Sequence, residues 1–107
     1  MLKNELKVLT TAAQTLVTDA HQTARVLNIV FYNPTATTTT FDLTLTDKAG
    51  TKITLRKAKS LAQAAEDIIS YMIVLEKGDK LEALASVASN INVLVNYEPY
   101  NGSPAVR

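Results

Sequence analysis

The sequence predicts an all-β protein, an antiparallel β-sandwich or barrel of seven or eight strands, on three observations. Short runs of β-branched and aromatic residues recur between positions 24 and 98, turn-forming residues punctuate them, and several runs alternate apolar and polar side chains with a period of two. That period belongs to half-buried strands, and the regular spacing of turns belongs to sandwiches and barrels.

Residues 5–9 and 14–18 are short and rich in β-branched residues, which favours extended structure; Leu2, Leu6 and Leu9 also fall at helical spacing, so an amphipathic helix competes there. The polar stretch 19–23 reads as a loop. A long strand over 26–32 ends at Asn33-Pro34, because proline has no N–H to give a ladder and restricts the residue before it. The threonine tract 35–40 reads as a loop or a frayed strand entry. Phe41, Leu43 and Leu45 then face one way and Asp42, Thr44 and Thr46 the other. A tight turn over 47–51 uses Gly50 for positive φ, and Ile53 and Leu55 resume the inward pattern on the return strand.

Residues 60–66 are too short for a helix and read as a loop or single turn. The next strand, 67–76, sets Ile69, Tyr71, Ile73 and Leu75 on one face and Ile68, Met72 and Val74 on the other. Gly78 and Asp79 turn the chain, Leu81, Ala83 and Ala85 point inward, and 86–90 turn again. Ile91, Val93, Val95 and Tyr97 form a final strand against outward Asn92, Asn96 and Glu98. The domain is expected over 1–98, followed by a flexible tail, 99–107, with two prolines and no periodicity.

At 107 residues the chain is one domain that needs neither metal nor disulfide to fold. A net charge of +1, with acids and bases interspersed, does not fit a nucleic-acid binder that neutralises several phosphates. The absence of cysteine removes disulfides, thiolate metal sites and cysteine nucleophiles, and fits synthesis in a reducing cytoplasm. Charges in the first seven residues replace the apolar stretch of an export signal, and no apolar run approaches the roughly 20 residues that span a bilayer, so no membrane partner is expected.

No reaction is legible in the residue chemistry. His21 is the only histidine and lies in a polar loop, where it reads as a solvated side chain; it cannot build a several-histidine metal site or a triad without a nucleophile elbow. Glu66, Asp67, Glu76 and Asp79 read as charges flanking an apolar strand and as turn residues, not as paired catalytic acids. Three glycines supply no phosphate-cradling loop, and Asn101-Gly-Ser103 reads as an Asn-Gly turn. Tyr71 and Tyr97 sit at core phase and Tyr100 is placed to meet a partner, whereas a carbohydrate-binding module would align Tyr32, Tyr71, Tyr97 and Tyr100 on one solvent face.

The strands 26–32 and 68–75 are apolar on both faces, so each needs a second cover. Either the N-terminal segment or the 60–66 loop supplies it, or Leu27, Ile29, Phe31, Ile68, Met72 and Val74 form a subunit interface, which is the expectation adopted.

The segments Thr11-Ala-Ala-Gln-Thr-Leu-Val-Thr18, Thr23-Ala-Arg-Val-Leu-Asn-Ile-Val30 with Asn33-Pro34, Val74-Leu-Glu-Lys-Gly-Asp-Lys-Leu81 and Asn92-Val-Leu-Val-Asn-Tyr97 together resemble small virion proteins of tailed bacteriophages. The resemblance spans about 10–97, with His21-Gln22 standing where related chains often have Gly-Lys. It implies a jelly-roll-like sandwich without catalytic residues, metal or cofactor, made in the bacterial host cytoplasm and located in the virion. The role it implies is a capsid decoration (cement) protein bound to the major capsid protein of the assembled shell, or a neck or tail accessory subunit bound to neck or tail proteins. A homo-oligomer is expected, a trimer favoured, with a terminus that orders on the lattice.

Overall fold

The structure is a computed structural model that describes residues 2–17 and 23–100. His21, Asn101-Gly-Ser103, the tail beyond Tyr100 and the Tyr100 side chain lie outside the described residues. Among the described residues nine strands follow one another: β1 (Lys3–Val8), β2 (Gln14–Thr15), β3 (Thr23–Tyr32), β4 (Thr39–Thr46), β5 (Lys52–Leu61), β6 (Glu66–Ile69), β7 (Ile73–Leu75), β8 (Lys80–Ala85) and β9 (Asn92–Tyr100). One sheet has the order β1-β9-β3-β6 with β7 also on β3, and the other β2-β8-β4-β5. All pairings are antiparallel. The chain changes sheet at every connection except the β4–β5 hairpin and the β6–β7 step, which is the winding of a jelly roll. Because β6 and β7 lie end to end along β3, the nine segments occupy eight strand positions.

The N-terminal segment is extended, with Leu9 and Leu16 buried. Period-two alternation places Leu81, Ala83 and Ala85 on β8 and Ile91, Val93, Val95 and Tyr97 on and just before β9 in the core, as expected. Phe31 of β3 and Phe41 of β4 stack across the sheets, ring centroids 4.1 Å apart. At the open side, Arg56 Nε of β5 donates to Asp67 Oδ2 of β6 at 2.7 Å and ties the sheets' margins. The hydrogen bond that Arg56 donates to Asp67 is the chief reason the Arg56 pKa is raised, opposed by desolvation and aided by the charge of Asp67 and by Tyr71.

Asn33 ends β3 for a reason beyond Pro34. Its buried side chain donates from Nδ2 to the carbonyls of Thr37 (2.8 Å) and Leu61 (2.9 Å), and its Oδ1 accepts from the Thr35 N–H (2.8 Å) and hydroxyl (2.7 Å). This Asx turn orders the threonine tract as a loop up to β4.

In the β4–β5 hairpin, Asp47 Oδ1 accepts from the N–H groups of Ala49 and Thr51, and Gly50 has φ +93°. Asp79 Oδ1 accepts from Lys48 N–H and Oδ2 from Glu76 N–H, so one carboxylate joins this turn to the β7–β8 turn. There Gly78 has φ +95°, and a Cβ would lie 2.8 Å from Lys48 Cβ. Gly78→Ala is expected to cost about 2 kcal/mol, lowering Tm by roughly 10 °C. Gly50→Ala, with open space around it, is expected to cost about 1 kcal/mol. Thermal melts of the two variants check the order.

Five expectations are corrected. Ile29 and Phe31 are fully buried core residues and cannot line a subunit interface. A bulge explains this: Val26 pairs with Tyr97 and Asn28 with Asn96, so Leu27 is an extra residue, half-buried, and the inward phase switches from Ala24 and Val26 to Ile29 and Phe31. The expected strand 67–76 is broken at 70–72, opposite that bulge, and the break turns Tyr71 out of the core to 52 % exposure. Ile53, on the sheet-edge strand β5, is exposed. Ser60 and Leu61 belong to β5, leaving a shorter turn before β6. Finally, β9 continues through Pro99 and Tyr100, which pair with Ala24 and Thr23.

Candidate interaction surface

The outer face of the β1-β9-β3-β6 sheet is a grid whose rows run across the strands. Leu6 pairs with Leu94, Leu94 with Val30 and Val30 with Ile68, so one row is apolar from edge to edge. Leu6 is 76 % exposed and Ile68 52 %, while Leu94 and Val30 in the middle are half-buried by their neighbours. On one side lies a polar row, Asn4, Asn96 and Asn28, in which Asn96 Nδ2 donates to Asn28 Oδ1 at 2.6 Å. On the other side lie Val8, Asn92, Tyr32 and Glu66. Beyond the asparagines, Arg25 pairs with Glu98 and Val74, and its guanidinium meets the Glu98 carboxylate at 2.7 Å.

Of the six expected interface residues, Ile68, Met72 and Val74 are exposed, Val74 and Ile68 on this face and Met72 in the β6–β7 break. Leu27 is half-buried at the bulge, and Ile29 and Phe31 belong to the core. Among the described residues neither the N-terminal segment nor the turn after Leu61 covers the face: β1 extends the sheet sideways instead. Sequence reasoning missed Leu6, Val8, Val30 and Leu94. The signal for Leu94 was present, an apolar side chain at the outward phase of Asn92, Asn96 and Glu98.

The other outer face is polar. A shallow groove of about 220 Å³ is lined by Ala13, Asp42, Thr44, Lys52, Thr54, Glu82, Ala83 and Leu84. Asp42 is engaged there, accepting the Ala58 N–H at 2.7 Å and lying 3.6 Å from Lys57 Nζ. The carboxylates singled out earlier do not converge: Asp67 is held by Arg56, Asp79 joins two turns, and Glu66 and Glu76 are exposed. Among the described residues no group of three His, Cys, Asp or Glu side chains could hold a metal ion. Among the tyrosines whose side chains are described, Tyr32, Tyr71 and Tyr97 do not share a face either. Tyr97 is buried and donates its hydroxyl to Glu5 Oε2 at 2.8 Å, Tyr32 lies half-buried on the apolar-row face, and Tyr71 lies beside Arg56.

No protein-family model matches this chain, and no curated protein does.

Proposed function

We propose that this chain is a non-enzymatic structural protein of a tailed-phage virion, a decoration protein that binds the assembled shell as an oligomer. The observation that carries the reading is the row Leu6–Leu94–Val30–Ile68, an apolar strip crossing one whole face of a jelly roll. Water contact with such a strip is relieved when another protein surface covers it, at roughly 1.5–3 kcal/mol per side chain fully buried, offset by the cost of association. A rigid sandwich with one greasy face is a building block. The resemblance to small virion proteins supplies the particle, and sister copies with shell protein supply the cover.

The test mixes purified chain with particles that lack it and images them. Added density on the shell supports decoration; density confined to the neck or tail replaces it with the accessory role, and no density on any part of the particle removes both. Ile68→Lys and Val74→Lys change exposed residues, so they should alter stability by less than about 1 kcal/mol. Each should weaken particle binding by about tenfold or more, because a charge then has to be desolvated at the contact. Unchanged binding of both variants would show that the apolar face is not the seat.

A further inference from the structure

We infer that β1 is a pairing edge for a second copy of this chain, joining the two β1-β9-β3-β6 sheets antiparallel across a two-fold axis at Leu6. This deepens the building-block reading above by naming its first partner.

The sandwich has four sheet edges, and three are blunted. β2 is only two residues long, β6 and β7 are separated by the 70–72 break, and β5 pairs irregularly with β4 and carries Lys52, Lys57 and Lys59. β1 is different. It runs for six residues in unbroken register with β9, and among the described residues no strand pairs with its other side.

The backbone direction follows from the ladder. Leu9 N–H donates to Ile91 carbonyl at 2.9 Å, so Leu9 and Ile91 are a narrow pair, and so in turn are Lys7–Val93, Glu5–Val95 and Lys3–Tyr97. The N–H and C=O groups of Asn4, Leu6 and Val8 therefore point away from β9, toward the free side.

A second β1 meets these groups only with its own Asn4, Leu6 and Val8. Setting Leu6 opposite the partner's Leu6 places Asn4 opposite the partner's Val8 and Val8 opposite the partner's Asn4, and uses every outward group of the strand. On the other face this register brings Glu5 to the partner's Lys7 and Lys7 to the partner's Glu5. Shifting so that Leu6 meets the partner's Asn4 would instead set Glu5 against the partner's Glu5 and Lys3 against the partner's Lys7, like charges that repel. A shift that sets Leu6 opposite the partner's Leu2 leaves Val8 without a strand partner. Like charges thus reject the slip to Asn4, the unpaired Val8 disfavours the slip to Leu2, and opposite charges admit the register centred on Leu6. In the favoured register the apolar row also continues without interruption, Ile68–Val30–Leu94–Leu6 running on into the same row of the partner.

The experiment uses the purified chain alone, by sedimentation equilibrium, with far-UV circular dichroism to confirm that each variant is folded. The wild type is expected at twice 11.6 kDa. Glu5→Lys and Lys7→Glu should each raise the dissociation constant by about tenfold or more, since each creates like-charge contacts at both ends of the axis. Mixed in equal amounts they should pair with each other, because every 5-to-7 contact is then between opposite charges. In the register with Leu6 opposite Leu2 the mixture would gain no such full rescue, since one Lys3 would meet a lysine at position 5. If loss of the Tyr97 hydroxyl's acceptor unfolds Glu5→Lys, Leu6→Lys serves in its place, setting like charges face to face at the axis from a side chain that is 76 % exposed. A wild type that stays monomeric at its highest soluble concentration overturns the pairing. So does a trimer, the symmetry expected from the family resemblance, that ignores these substitutions. Particles play no part in this measurement: a chain that pairs yet leaves shells bare keeps its dimer and loses the decoration role, and the converse result separates them the other way.

Discussion

Phe31→Ala is expected to destabilise the isolated domain by about 3–5 kcal/mol, a large share of the roughly 5–15 kcal/mol that holds a typical domain folded. Phe31 is fully buried and stacks on Phe41 of the opposite sheet, so truncation removes a central contact between the layers and leaves a cavity that the backbones of two sheets can only partly close. Urea denaturation measures the effect. A residue facing a sister subunit would behave differently, with the domain's own stability kept and its assembly lost. A loss below about 1 kcal/mol would mean that Phe31 does not occupy the core.

Asn33→Ala should cost about 2–4 kcal/mol, more than alanine substitution at any exposed threonine of the neighbouring loop. The side chain satisfies the Leu61 and Thr37 carbonyls and two groups of Thr35 at once, joining the end of β3 to the end of β5. Removing it strands the Leu61 carbonyl in a buried site and takes away the partner of part-buried groups of Thr35 and Thr37. Asn33→Asp separates the donors from the acceptors. Its carboxyl can still accept from Thr35, but when ionised it turns an oxygen without a proton toward two carbonyls, which favours the protonated form in the folded state. A folded-state pKa raised above the unfolded one means that the native state binds more protons, so the variant's stability falls as pH rises and recovers on acidification toward the ordinary carboxylate range. Chemical denaturation of wild type and variant at neutral and mildly acidic pH measures the difference. A variant whose deficit stays constant with pH would show that the Nδ2 donations do not carry the site.

Period-two alternation made β4, β8 and β9 legible, because in those strands a residue's facing depends only on its neighbours in sequence. Asp47, Gly50, Gly78 and Asp79 announced their turns for a similar reason, since positive φ and Asx bonding are properties of a few adjacent residues. Half of the candidate surface was readable on the same terms: Ile68, Met72 and Val74 are apolar, close in sequence and exposed. Asn28 marked the hidden irregularity, for unbroken alternation from Ala24 and Val26 would have buried it, and the bulge at Leu27 carries it to the outer face beside Asn96.

The amino-acid order by itself determined the class of fold, its turns and the inward phase of the regular strands. Tertiary structure decided which apolar residues became surface, because a single extra residue on β3 exchanges inside for outside along the rest of the strand, and only pairing with the distant β9 shows where it falls. The apolar row is of the same kind: Leu6, Leu94, Val30 and Ile68 are far apart along the chain, and only their shared register places them side by side.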